Sequence, residues 1–375
     1  LDSALKLPSG TTAQRPTSPS TGEWRYNTTT NLVEFWDGGE WRDLQSENIP
    51  PINSENFNVV LYNGTSATHA ITGVGFKPDL VWIKDRSNGE SHIWNDSTRG
   101  AGNDLSSNSI NAQANRPTGF VSFDSDGFTL GADSGGVVND SSRGPYVAWC
   151  WKAGGGTTSS NTDGTITSTV QVNSKAGFSI VNYQGAGGSS STVGHGLSAA
   201  PEMMIIKSTS NAGTSYTWGV YHTGIGPTKY LELNYNNAAA TASTPWNNTA
   251  PTSTIFNLGS WSAVNGSGVD YIAYCFHSVA GYSSFGTYTG TGSAGNAQNL
   301  GFEPAFVLIK RTDSAGAWSI YDNKRSPSNP RDKKLVPNSD AAENNAGTTY
   351  QLNFLTNGFE FLGGGSDLNA NGGNF

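Results

Sequence analysis

The chain has 375 residues, with 21 Lys and Arg against 29 Asp and Glu, a formal net charge of −8. That balance argues against nucleic acid as a partner, and without a run of 18 apolar residues no segment reads as a membrane span. Charged residues make up only 13%, glycines number 47 and aromatics reach 11%, so short apolar runs bounded by Gly, Asn, Asp and Pro point to an ordered all-β protein.

Residues 1–48 read as a β-meander with strands at 23–26, 32–36 and 40–44. Its turns are NTTTN and DGG, the second a strong hairpin signal. A meander this small is marginal alone, so it is expected to pack against something else, copies of itself included. No basic-then-apolar signal peptide opens the chain, although a segment upstream of Leu1 stays open. The stretch IPPINSEN then leads into a threefold repeat.

The repeat is carried by GFKPDLVWIKDRS at residues 75–87 and GFEPAFVLIKRTD at 301–313, with a weaker copy, GLSAAPEMMIIKSTS, at 196–210. Each copy follows an opening strand and turn: FNVVLYNGT, FSIVNYQGA and FGTYTGT. A Trp-bearing strand comes next, with Trp94, Trp218 and Trp318. Repeats one and three then carry a strand–turn pair, FVSFDSDGFTL and LNFLTNGFEFL. Repeats one and two close with YVAWCWK and YIAYCFH. The repeats span 57–153, 178–280 and 281–375, and 154–177 reads as a Gly/Ser/Thr linker with a β-prone centre at 165–172. From Tyr62 to Tyr146 is 84 positions and from Tyr183 to Tyr271 is 88. That period is too long for a solenoid coil and suits a small sandwich with its own core.

In YVAWCWK, Tyr146, Ala148 and Cys150 share one face, and Val147, Trp149 and Trp151 the other. The aromatic face must be covered by a second layer or a neighbouring repeat. Cys150 and Cys275 hold equivalent places in two repeats, so both read as small buried hydrophobes rather than a disulfide. Repeat three stops in NGGNF, where repeat two begins its last strand. It is expected to lack its closing strand, or to be completed by residues beyond this chain or by a partner. The fold class is all-β: an N-terminal meander and three tandem jelly-roll or lectin-like β-sandwiches, the third incomplete.

The stretch LPSGTTAQRPTSPSTGEWRYNTTTNLVEFWDGGEWRDL, through residues 10–16, 22–27 and 36–41, resembles a module common in bacteriophage tail-fibre and other virion proteins. GFKPDLVWIKDRS, NTDGTITSTVQVNSKAGFSIVNYQG, GHGLSAAPEMMIIK and YVAWCWKAGG are similar to repeats of marine and cyanobacterial phage structural proteins. The resemblance covers nearly the whole chain. It implies a virion component assembled in the host cytoplasm, often oligomeric, with other virion proteins as partners. A tail fibre or appendage that displays polar loops to a host-surface glycan is the leading expectation, as a homo-oligomer with threefold symmetry favoured. A purely architectural capsid decoration or tail connector protein, and a bacterial adhesin or secreted carbohydrate-binding module, are the alternatives. A glycan-degrading enzyme is a further rival. The resemblance transfers no catalytic residue.

The residues themselves offer little chemistry. GTGSAG at 290–295 matches a dinucleotide pattern, but a second strand follows it and no helix. DSDGF at 124–128 supplies half a calcium loop and lacks the closing carboxylate; a tight turn accounts for it. The five histidines show no metal spacing, and Glu90, Glu202, Glu232, Glu303 and Glu360 are spread over the repeats. No catalytic residue, metal or cofactor is therefore assigned. Two excursions are candidate binding loops. One carries a cluster of Lys324, Arg325, Arg331, Lys333 and Lys334, suited to anionic glycans or an acidic neighbour, or simply solvated. The other places Trp246 and Trp261 with Asn247 and Asn248, a platform for a sugar face or a plug onto the sandwich.

Overall fold

The computed structural model describes residues 6–43, 55–133, 135–210 and 216–375. They fall into two compact units, Leu1–Ser54 and Glu55–Phe375. In the first, Trp24–Asn27, Leu32–Trp36 and Trp41–Asp43 form the expected antiparallel meander, and Ser9–Gly10 adds a parallel strand beside Trp24–Asn27. Residue 44, the expected end of the last strand, lies outside the described residues. The Arg-Tyr-Asn string has a structural purpose. Glu34 is buried, and its carboxylate accepts hydrogen bonds from Arg15 at 2.6 Å and Asn27 at 3.0 Å, with Arg25 at 3.5 Å. A buried carboxylate survives only with such partners.

The second unit holds the three repeats. In repeat one a six-stranded sheet runs in the order Ala114–Asn115, Asn103–Ser106, Ile93–Asp96, Leu80–Asp85, Tyr146–Trp151, Phe57–Tyr62. The closing strand thus lies between the motif strand and the opening strand. A second layer of Phe120–Asp124, Gly127–Leu130 and His69–Ile71 covers it. Repeat two places Asp270–Phe276 in the same way, between Met203–Ser208 and Phe178–Gln184. Residues 154–177 are not a free spacer: Ser168–Asn173 pairs with Phe178–Gln184 and extends that sheet, with Val170 set into its core. Among the described residues α-helix is limited to residues 55–56 and Ser262–Asn265.

Four apolar clusters explain the alternation of the closing strands. Each repeat has its own core between its two layers, and the outer faces of the large sheets meet in one shared core. Ala148 and Cys150 face the core of repeat one, whereas Val147 and Trp149 face the shared core. Ala273 and Cys275 against Ile272 and Tyr274 repeat the pattern. Both thiols are buried and free. The aromatic face is therefore covered by neighbouring repeats. Trp94, on repeat one, packs against Trp218 at 5.2 Å and Tyr274 at 5.0 Å, both on repeat two.

Strand register sets how the tryptophans of the three repeats correspond. Trp82 lies opposite Trp94, Ile205 opposite Val220 and Leu308 opposite Ile320. Trp218 and Trp318 are thus equivalent to His92, not to Trp94. From that position Trp318 donates its indole N–H to the Glu232 carbonyl of repeat two at 3.0 Å, and Trp218 to the Ser106 carbonyl of repeat one at 3.0 Å. The ring of His92 lies against the Val336 backbone of repeat three, without a strict hydrogen bond from Nε2. Three before two, two before one and one before three make a closed cycle of repeats.

Among the described residues no strand takes the closing place of repeat three. Phe306–Ile309 pairs with Ser319–Asp322, while Asn296–Asn299, Gly358–Phe361 and Leu352–Leu355 form the second layer. Phe375 alone takes up the first closing position. It stacks on Tyr288 at 5.0 Å, as Tyr146 stacks on Tyr62 at 5.1 Å and Tyr271 on Tyr183 at 5.3 Å.

Candidate functional site

The excursion after Ser319–Asp322 is organised by Asp322. Its carboxylate accepts the backbone N–H of Lys324 at 3.0 Å and of Arg325 at 2.8 Å, Arg325 Nε at 2.5 Å, and Trp149 Nε1 of repeat one at 3.0 Å. Arg325 also donates to the Lys333 and Ile320 carbonyls and pairs with Glu343 at 2.9 Å. Arg86 of repeat one grips the same Glu343 at 2.8 Å. Arg99 makes the corresponding bonds to Asp96, Asn103 and Trp94. Arg325 is therefore a brace, fully withdrawn from solvent.

The other cations of the cluster are mostly satisfied internally. Arg331 is buried, donates to the Ser326 carbonyl and lies 4.7 Å over the Phe354 ring. Lys334 is buried, 3.1 Å from Asp367 and 4.8 Å over the Tyr350 ring. Lys324 is exposed, and Lys333, partly exposed, donates to Asn345. The expected cationic island thus reduces to Lys324 and Lys333, because a guanidinium or ammonium beside buried carbonyls and carboxylates is held there.

Behind this loop, Lys333–Lys334 pairs with Asn344–Asn345, and a turn at Thr348–Tyr350 follows. Together they border a cleft of about 320 Å³ lined by Lys334, Asn344, Asn345, Ala346, Gly347, Tyr350 and Asp367. One face of Tyr350 is taken by Lys334. Gly365 lies close beside the same ring, where a Cβ would come within 2.5 Å of Cδ1. The cleft therefore offers a carboxylate, an ammonium, amides and a phenol for hydrogen bonding. Sequence reasoning reached Lys334 and missed the rest. Asn344 and Asn345 sit in an ordinary polar stretch, and Asp367 arrives only through the fold.

Over residues 52–375 the sequence matches the family described as Domain of unknown function (DUF7483). The chain belongs to that family. No curated protein and no solved structure matches it. The matched span begins within a few residues of the second compact unit, so one DUF7483 domain comprises all three repeats and their shared core.

The second candidate loop of this DUF7483 domain is placed differently from a sugar platform. Trp246 is 1% exposed, donates its indole N–H to the Lys229 carbonyl at 3.0 Å and meets Tyr221 edge-on at 5.8 Å. It plugs the excursion onto the sandwich. Trp261 is half-buried against Tyr230 at 4.6 Å. Asn247 and Asn248 are exposed, each with φ of 50°, a left-handed turn that Asn tolerates better than most residues. None of Trp246, Asn247, Asn248 and Trp261 lines the cleft of repeat three.

The remaining motifs are structural. The Asp126 carboxylate of DSDGF accepts N–H groups of Gly73 at 3.0 Å and Gly75 at 2.6 Å. GTGSAG is a turn that leads into Asn296–Asn299. Among the described residues no group of three or more His, Cys, Asp or Glu is placed to hold a metal. No helix among them is long and apolar enough to cross a membrane.

Proposed function

We propose that the chain is a structural component of a bacteriophage virion, an appendage or tail-fibre protein without catalytic activity. It holds polar loops in fixed orientation for attachment to a host surface. Three repeats tied through one shared core and buried cross-repeat bonds make a stiff carrier, and loops on such a scaffold are where binding groups vary. The virion reading itself rests on the resemblance of the N-terminal module and the repeats. The observation that carries the binding reading is the polar cleft of Lys334, Asn344, Asn345, Tyr350 and Asp367. Its mixed donors and acceptors suit the hydroxyls of a host-surface glycan. Other virion proteins are the partners, and a threefold homo-oligomer would multiply weak contacts into avidity.

A purely architectural role is the second reading. It is favoured by the internal engagement of Arg325, Arg331 and Lys334, which leaves little free cationic surface. Binding of host envelope polysaccharide to the full chain, compared with Asp367→Asn and Tyr350→Phe, separates the two. Glycan attachment requires weakened binding at unchanged Tm. Equal binding by both folded variants favours the architectural role.

A further inference from the structure

The cleft of repeat three lies where the other two repeats are filled. Register places Asp104, Tyr230 and Lys334 at one position, each opposite the first residue of the following short strand, Ala114, Ala240 and Asn344. Just beyond those strands, Arg116, Ala242 and Ala346 make the same backbone bond, to the carbonyls of Gly102, Thr228 and Asp332 at 2.7, 3.0 and 2.6 Å. After strands Gly127–Leu130, Ile255–Leu258 and Gly358–Phe361, the residues Asp133, Trp261 and Gly365 each donate a backbone N–H at 2.9 Å, to the carbonyls of Thr118, Thr244 and Thr349. These positions bound the same place in every repeat.

Their side chains decide whether that place is open. In repeat one the Arg116 guanidinium occupies it, 2.6 Å from Asp133 and 3.5 Å from Asp104. In repeat two the Trp261 ring lies against Tyr230 at 4.6 Å. Repeat three has Ala346 and Gly365 instead, so neither side supplies a filling group, and the cleft of about 320 Å³ is what remains. Its fixed charges cancel. Lys334, at the position of Asp104, is 3.1 Å from Asp367 and lies over the Tyr350 ring. An entering carboxylate or phosphate would be brought beside Asp367, and an amine beside Lys334; either would lose water without gaining a free counter-charge. A hydroxyl is donor and acceptor at once, and is matched by the carboxylate, the remaining ammonium protons and the Asn344 and Asn345 amides. The volume is at the small end for ligand pockets, which start at roughly 300 Å³, and fits the end of a chain rather than a long stretch of polymer.

Resting on the reading of this cleft as a glycan site, we propose that its ligand is a neutral, hydroxyl-rich sugar at the end of a glycan chain, bound once per chain and in repeat three. The equivalent places in repeats one and two are closed by their own side chains and act as struts between layers. Selection is then by matched hydrogen bonds, and an analogue that leaves the Lys334 and Asp367 pair unmatched is rejected.

The test applies the full chain to an array of immobilised oligosaccharides that end in neutral hexoses, uronic acids or sialic acids. The strongest neutral probe is then titrated by calorimetry as the free oligosaccharide. Binding should be confined to neutral ends, with one site per chain, and should not change as salt is raised. Ala346→Arg restores the group that fills repeat one and should weaken binding about tenfold or more. Asn344 is exposed, so Asn344→Ala should keep the β-sheet circular dichroism and Tm and weaken binding about fivefold; it decides alone should Ala346→Arg not fold. Binding confined to acidic probes and lowered by Asn344→Ala overturns the neutral-sugar assignment and leaves the glycan reading of the cleft standing. No binding to any probe overturns both. More than one site per chain, or neutral binding that the folded variants leave unchanged, overturns the assignment to repeat three.

Discussion

Tyr274→Phe isolates one bond between repeats. The Tyr274 hydroxyl donates to Asp96 Oδ2 at 2.8 Å, and both residues are fully buried. Removing the hydroxyl keeps the ring and its packing against Trp94, so no cavity larger than one oxygen opens. Asp96 keeps Arg99 Nε at 2.5 Å and the Arg99 backbone N–H at 2.9 Å. The loss is one hydrogen bond to a charged acceptor, about 1.5–3 kcal/mol, and a shift of about 2 kcal/mol changes the folded-to-unfolded ratio by about 30-fold. Tyr183→Phe is the control. Its hydroxyl donates to the Val264 carbonyl at 2.7 Å within repeat two, a neutral pairing expected to contribute about 1 kcal/mol. Urea unfolding of the full chain, followed by circular dichroism and Trp fluorescence, gives both values. Both probes should shift together for Tyr274→Phe, and a double-mutant cycle with Asp96→Asn should show coupling above about 1 kcal/mol. A loss below about 0.5 kcal/mol, or separate unfolding steps for the repeats, would refute the view that cross-repeat bonds bind them into one cooperative body.

Trp246→Ala should destabilise by about 3–5 kcal/mol, as expected for a lost buried aromatic; an unchanged urea midpoint would show that the ring does not plug the loop. Burial lowers Lys207 to about 7, although its ammonium reaches the Tyr216 and Ile110 carbonyls at 2.6 and 2.9 Å. Above pH 7 the unfolded chain then retains a proton that the folded chain has released, so this residue makes stability rise with pH by up to about 1.4 kcal/mol per unit. Lys207→Met should remove up to about 2 kcal/mol of the rise between about pH 7 and 8.5, and urea midpoints with the same pH dependence in both proteins would contradict it. Burial also raises both thiols, Cys275 to about 12 and Cys150 further, so neither should react with an aromatic disulfide reagent until urea unfolds the chain; prompt reaction of the native protein counts against the packing described.

What the sequence made legible follows its periodicities. Alternation in YVAWCWK and YIAYCFH marked the two faces of each closing strand, and the match between Tyr62, Tyr183 and Tyr288 marked where repeat three runs out. The shared core was only half legible, because an aromatic face states that it must be covered and does not state by what. The strands near Trp94, Trp218 and Trp318 do correspond, but only register shows that Trp94 stands two residues on from the place of Trp218 and Trp318, which His92 fills in repeat one. The linker was half legible: its β-prone centre at 165–172 marked the strand Ser168–Asn173, while its pairing with Phe178–Gln184 is a tertiary choice. Charge was the least legible property. Arg325 and Arg331 look like surface cations in sequence, yet their partners Glu343, Ser326 and Phe354 are distributed along the chain. The cleft depends on Asp367 meeting Lys334, a contact no local pattern announces.

The claim that the chain is a structural part of a virion is tested most directly by locating it. Antibodies raised against the folded protein, coupled to gold, would be applied to virus particles purified from cells that produce the chain and viewed by electron microscopy. The account predicts discrete label on a tail fibre or other appendage, at a fixed distance from the head. Particles that carry no label, while the lysate from which they were purified contains the protein, would contradict it.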